Sequence, residues 1–182
     1  MANVHVYPGN RLMVRRSPTF IKAILLSGIA ASLLQLTGMF LISWLARGRS
    51  PADVLQFIAS GINGEHAYSD GITSVLAGLF LHCMFALVVA TVYLLAYSWT
   101  PFVRNHPFKS GMLYGVIVWL FMNGAVIPLS HVPLQQPDPL MASLSLAVDV
   151  FFAGLPVALV TQYCFYAHKR HVPDITELIW HT

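Results

Sequence analysis

Four polar side chains stand deep inside apolar runs of this sequence, and their types and depths could do chemistry: Gln35, His82, Asn123 and Asp149. Asp149 is the only acidic residue well inside such a run. It follows Pro139 by ten residues. That is about 15 Å along an ideal helix, near the middle of a hydrocarbon core roughly 30 Å thick. An ionised carboxylate cannot face lipid there; it must be protonated, paired or turned toward other helices. Gln35 and His82 each lie eleven residues inside the outer ends of their runs, and Asn123 seven. At about 1.5 Å per residue, the four share a slab about 6 Å thick. Asp149 and His82 could form a buried proton relay or ion site, with Gln35 and Asn123 in support. The plainer alternative is polar glue, interhelical hydrogen bonds that fix packing at about 0.6 kcal/mol each.

Other chemistry finds less support. His82, Cys83 and Met84 resemble a ligand cluster on paper, but consecutive helical residues point about 100° apart and cannot address one metal. Only His82 is deep; His131 sits at the outer rim and His66 in the first outer loop. A haem-binding electron-transfer protein is therefore the weakest alternative, and no metal or cofactor is expected. Cys83 and Cys164 are the only cysteines and form no CxxC pair, so no disulfide framework or zinc ribbon is implied. The sequence contains no P-loop, no dinucleotide-binding glycine fingerprint, no G-x-S-x-G and no HExxH. No residue set argues for an enzyme.

The elements that must position these residues follow from composition. Of 182 residues, 57% are hydrophobic and 9% charged, against about 25% charged in soluble domains. So few charges cannot cover a water-facing surface, and the lipid bilayer is the expected surroundings. Four apolar runs exceed the roughly 20 residues needed to cross it: about 18–46, 71–98, 109–130 and 139–167. Trp44, Tyr68, Tyr97, Trp99, Tyr163 and Tyr166 gather near their ends, where amphipathic rings favour the headgroup zone. The fold class is all-α, a four-transmembrane-helix bundle forming a single membrane domain over 1–182. The first run is too long for a signal peptide and lacks a clear cleavage site.

Orientation follows from the basic residues. Arg11, Arg15, Arg16, Lys22, Arg104, Lys109, Lys169 and Arg170 fall on one side, and only Arg47 and Arg49 on the other. Positive charge collects on the cytoplasmic side, so both termini are expected there. The pI near 9.0 is explained by these flanking charges, and no nucleic-acid partner is expected. Between the first two runs, Ser50-Pro51-Ala52-Asp53 begins a short amphipathic helix over about 51–62. It either lies on the outer membrane surface or packs over the mouth of the bundle. Ile175, Leu178, Ile179 and Trp180 in the C-terminal tail either dock on the inner surface or fray.

Two packing devices complete the pattern. Gly111 and Gly115 form a G-x-x-x-G motif that lets helix backbones approach, within the chain or with another copy. Asn123 lies eight residues beyond Gly115, about 80° away around the helix, so the glycine contact and the slab use different faces. Pro128 and Pro156 interrupt the third and fourth runs, where each removes a backbone hydrogen bond and favours a kink.

Leu81-His82, Tyr114-Gly115, Phe121-Met122-Asn123, Pro128 and Gly154-Leu155-Pro156 give the chain its likeness to a known group. It resembles small bacterial four-helix inner-membrane proteins of unassigned function over most of the four runs. The resemblance implies the topology and a bacterial inner membrane, and no activity. It also implies a histidine near the place of Asp149, which argues against a two-histidine site here. The expected role is a non-enzymatic accessory or packing protein, with homo-oligomers or larger membrane complexes as possible assemblies. The alternative is a small proton- or ion-coupled transporter or channel.

Overall fold

A computed structural model describes residues 18–133 and 138–171, and among them there are helices and no strand. The first helix, α1, is Pro18–Arg47. It is followed by α2, Pro51–Asn63, a 3-10 turn over Gly64–Tyr68, and α3, Ile72–Trp99. The short α4, Pro101–Asn105, leads into α5, Pro107–Phe121. A π-helical turn, Met122–Val126, carries α5 into α6, Ile127–Leu129. The last stretch is α7, Pro139–Val148, a second π turn, Asp149–Gly154, and α8, Leu155–His171. Four stretches are long and apolar enough to cross a membrane: Thr19–Arg47, Ile72–Trp99, Pro107–Leu129 and Pro139–Tyr166. They are the first to fourth spans below. The N-terminal arginines up to Arg16 and the C-terminal group Ile175–Trp180 lie outside the described residues.

Local chemistry explains most boundaries. Pro51, Pro101, Pro107 and Pro139 each occupy an early helical position, where the missing N–H costs no internal bond. The third span thus begins at Pro107, two residues before the expected Lys109. Ser50 and Asp53 cap α2 reciprocally. The Ser50 hydroxyl accepts from the Asp53 N–H at 3.3 Å, and the Asp53 carboxylate accepts from the Ser50 N–H at 2.7 Å. The prolines inside spans act differently. Ile127 N–H bonds to the Met122 carbonyl and Leu155 N–H to the Val150 carbonyl, each five residues back. Each donor immediately precedes a proline, Pro128 or Pro156. A proline ring crowds the carbonyl four residues back and offers no donor to it. The wider turn absorbs that mismatch.

The first, second and fourth spans share two apolar clusters. One is Phe20, Ala23, Leu94 and Cys164; the other is Ala31, Tyr93, Val157 and Ala158. The third span joins through glycine. A Cβ on Gly115 would lie 2.5 Å from the Val150 Cα and 2.6 Å from the Asp149 carbonyl oxygen. A Cβ on Gly111 would lie 2.8 Å from that of Ala158, and one on Gly154 would collide with the Gly111 carbonyl. The Gly111/Gly115 motif is therefore used inside the chain, against a third glycine on the fourth span. The helix α2 is packed rather than free. Val54, Leu55, Ala59 and Ser60 are buried, and the Leu55 backbone lies directly over Gly78 of the second span. The Gly61 carbonyl accepts the His131 N–H at 3.0 Å, tying α2 to the end of the third span. Large apolar residues such as Leu33, Leu76, Leu120 and Phe151 stay exposed on the outside of all four spans.

A charged clamp joins the end of the first span to the start of the fourth. Arg47 Nη2 lies 2.6 Å from Asp138 Oδ2. The other carboxylate oxygen of Asp138 accepts from the N–H groups of Leu140 and Met141 at 3.0 and 3.2 Å, capping α7. Arg47, then the backbone donors, hold this carboxyl below the usual carboxylate range.

Two expectations follow. Gly115→Ala is expected to destabilise the fold by about 1–3 kcal/mol, because backbone atoms of the fourth span cannot yield as a side chain can. Gly61→Ala meets only Ser130, at 3.9 Å, and is expected to change the melting temperature in detergent little. Equal effects would show that the glycine contact is not tight. The Asp138 clamp stabilises the fold above the ordinary carboxylate range and is lost as pH falls through the lowered folded value. The melting-temperature gap between the natural chain and Asp138→Asn is therefore expected to close below about pH 4. A gap that widens on acidification contradicts the clamp.

Candidate functional site

The site is built where the first span meets the second π turn. Gln35 projects from α1 and donates through Nε2 to Asp149 Oδ1 at 2.6 Å. Asp149 opens the π turn of the fourth span and is 6% exposed. One turn beyond Gln35, Gly38 lets α1 settle onto Val148, where a Cβ would lie 3.0 Å from the valine Cγ1. On the opposite side, Gly115 of the third span covers the Asp149 carbonyl oxygen. The acid is thus held by its side chain to one helix and by its backbone to another.

The other residues at this depth bond elsewhere. His82 Nε2 stands 3.2 Å from the Ser32 carbonyl, and with its proton on that nitrogen it donates there. The Ser32 hydroxyl lies 3.7 Å from the Cys83 sulfur. His82 therefore ties the second span to the first, about one turn from Gln35, and takes no part in the Gln35–Asp149 bond. Asn123 is exposed, and its Nδ2 donates to the Trp119 carbonyl of its own helix at 2.9 Å. Of the slab, the structure brings Gln35 and Asp149 together and leaves His82 and Asn123 with other partners. Depth counted along a helix carries no information about which way a side chain points, and azimuth separates the four. Gly111 and Gly115 face the fourth span, while Asn123 faces away from the chain.

Polar contacts the sequence did not single out are equally well formed. Tyr93 Oη and Ser110 Oγ are 2.8 Å apart, and Tyr114 Oη donates to the Val89 carbonyl at 2.6 Å. The two rings meet edge to face, with centroids 5.1 Å apart. This cluster welds the second span to the third. Trp119 Nε1 donates to Ser145 Oγ at 2.9 Å, linking the third span to the fourth. The only signal was the presence of serine and tyrosine in apolar runs. Such residues are common in membrane helices, where hydroxyls also bond within their own helix. Ser27, for example, donates to the Ala23 carbonyl at 2.6 Å.

Chemically, the Gln35–Asp149 pair can hold one proton or one charge. Its direct partner is an amide that does not titrate, so the pair is a single station with no second titrating group bonded to it among the described residues. Among the described residues, no group of three or more His, Cys, Asp or Glu side chains could hold a metal ion.

A double-mutant cycle measures this contact. Gln35→Leu and Asp149→Leu are expected to couple by about 1 kcal/mol or more, since the direct bond disappears once. Asp149→Asn retains an acceptor for Gln35 and is expected to cost less than Asp149→Leu. Additive single and double variants would show that the two side chains do not interact. No protein-family model, curated protein or solved structure matches the chain.

Proposed function

We propose that this chain is a non-enzymatic multipass protein of the bacterial inner membrane, a four-helix bundle with cytoplasmic termini, that acts by assembling with other membrane helices. Four apolar spans, their outward apolar side chains and the eight-to-two distribution of lysine and arginine support the membrane placement and orientation. The resemblance to small bacterial inner-membrane proteins supports the location.

One observation carries the assembly reading. Among the described residues, only 11% of the most apolar stretch of the third span is buried, against 44% for the fourth. The third span is fixed along its glycine edge and leaves most of its circumference to its surroundings. Gln35 pairs with Asp149, His82 with the Ser32 carbonyl and Tyr114 with the Val89 carbonyl, while the buried hydroxyls of Ser74 and Thr161 have no partner among the described residues. Such pairs make a rigid unit rather than a file of groups along which a proton could pass.

The burial of Asp149 at a π turn favours a second reading, a proton- or ion-coupled transporter, because widened turns often occur at functional sites. A photo-cross-linking residue in place of Leu120, tested in the membranes of the source cell, separates the two. Protein adducts are expected from an assembly surface. Adducts to lipid alone, together with a pH-dependent flux in proteoliposomes that Asp149→Asn abolishes without unfolding the chain, would replace assembly with transport.

A further inference from the structure

We propose that the outward side of the third span pairs two copies of this chain about a two-fold axis along the membrane normal, with the two Asn123 side chains hydrogen-bonded across it. This rests on the membrane and assembly readings above and names the partner of that surface. Leu113 and Leu120 are 53% and 56% exposed, and Val116 and Ile127 are half-buried. Val116, Leu120, Asn123 and Ile127 recur at spacings of four, three and four and so line one side of the helix, with Asn123 itself exposed. That is the seam of two helices packed side by side, with one polar residue in an otherwise apolar stripe.

Asn123 distinguishes this stripe from other outward faces. The second span also exposes apolar residues, Leu76, Phe80, Val88 and Val92, and lipid covers such a face without loss. A carboxamide has two N–H donors and an oxygen acceptor. Asn123 spends one N–H on the Trp119 carbonyl, which leaves the second N–H and the oxygen for a partner outside the chain. Hydrocarbon offers neither donor nor acceptor. Beside it, a Cβ on Gly124 would meet nothing within 4 Å, so another helix backbone can come close at that level.

The chemistry of the amide selects a second copy. It is its own complement, donor to acceptor and acceptor to donor. Two copies inserted with the same orientation place Asn123 at the same depth automatically, and a two-fold axis then forms both bonds at once. No charged residue lies between Met112 and Leu129, so nothing on this face repels its own image. The intramolecular use of Gly111 and Gly115 leaves the seam free, because those glycines lie against the fourth span.

The test uses the full chain in phosphatidylcholine–phosphatidylglycerol vesicles. Labelled protein counted by single-molecule photobleaching is expected to show pairs, and Asn123→Leu to weaken pairing about tenfold while leaving the melting temperature nearly unchanged. In a Cys83→Ala/Cys164→Ala background, oxidation is expected to cross-link Leu120→Cys into dimers and to leave Leu76→Cys monomeric. The cross-link carries the test even if Asn123→Leu does not fold. Single copies at every protein-to-lipid ratio, pairing unaffected by Asn123→Leu, or cross-linking through Leu76→Cys would each overturn the proposal. The Leu120 photo-adduct separates the two failures. Attachment to a different protein removes self-pairing and keeps assembly; attachment to lipid alone removes both.

Discussion

Between Gly111 and Gly115 of the third span and Gly154 of the fourth, two helix backbones come so close that no side chain fits. Much of the remaining architecture depends on this approach. In an apolar solvent, burying apolar surface gives little drive for helices to associate, so close packing and hydrogen bonds must hold them. Glycine maximises the first, and the close approach positions the second. With the backbones in contact, Trp119 reaches Ser145 across the same pair of spans. Gly115 then closes over the Asp149 carbonyl, burying the start of the π turn.

The two π turns share one cause. Each is followed directly by the residue before a proline, and in each that residue donates five positions back. The outcomes differ with their surroundings. The turn in the fourth span is packed between neighbours and carries a buried acid, with Asp149, Val150, Ala153 and Gly154 all buried. The turn in the third span contains no buried residue and presents Asn123 and Gly124 outward. One backbone device thus serves an internal contact in one helix and an outward face in the other.

Polar side chains here fasten neighbouring spans two at a time. Gln35 and Asp149 join the first and fourth, His82 and Ser32 the second and first, and Tyr93 and Ser110 the second and third. At the ends of the spans, Arg47 and Asp138 add a clamp that joins the first and fourth helices. Each bond contributes modestly, but together they fix the rotation of every span about its own axis, which apolar packing alone specifies weakly.

Length, apolarity and charge placement were legible in the sequence, because they depend only on residue types counted along the chain. The four spans, the α2 helix capped by Ser50, and the close-packing glycines could all be anticipated on that basis. Proline positions announced that the third and fourth spans would depart from regular helix, though not that the departure would be a π turn. Azimuth was not legible. Gln35, His82, Asn123 and Asp149 share a depth that counting can find, but only the packed helices decide which of them face each other. Tertiary structure joined Gln35 to Asp149, sent His82 to a backbone carbonyl of the first span and turned Asn123 outward. The physical reason is that helix rotation is set by contacts between spans, at Gly28, Gly38, Gly78 and Gly115 among others. Each of those contacts depends on a partner far away in sequence.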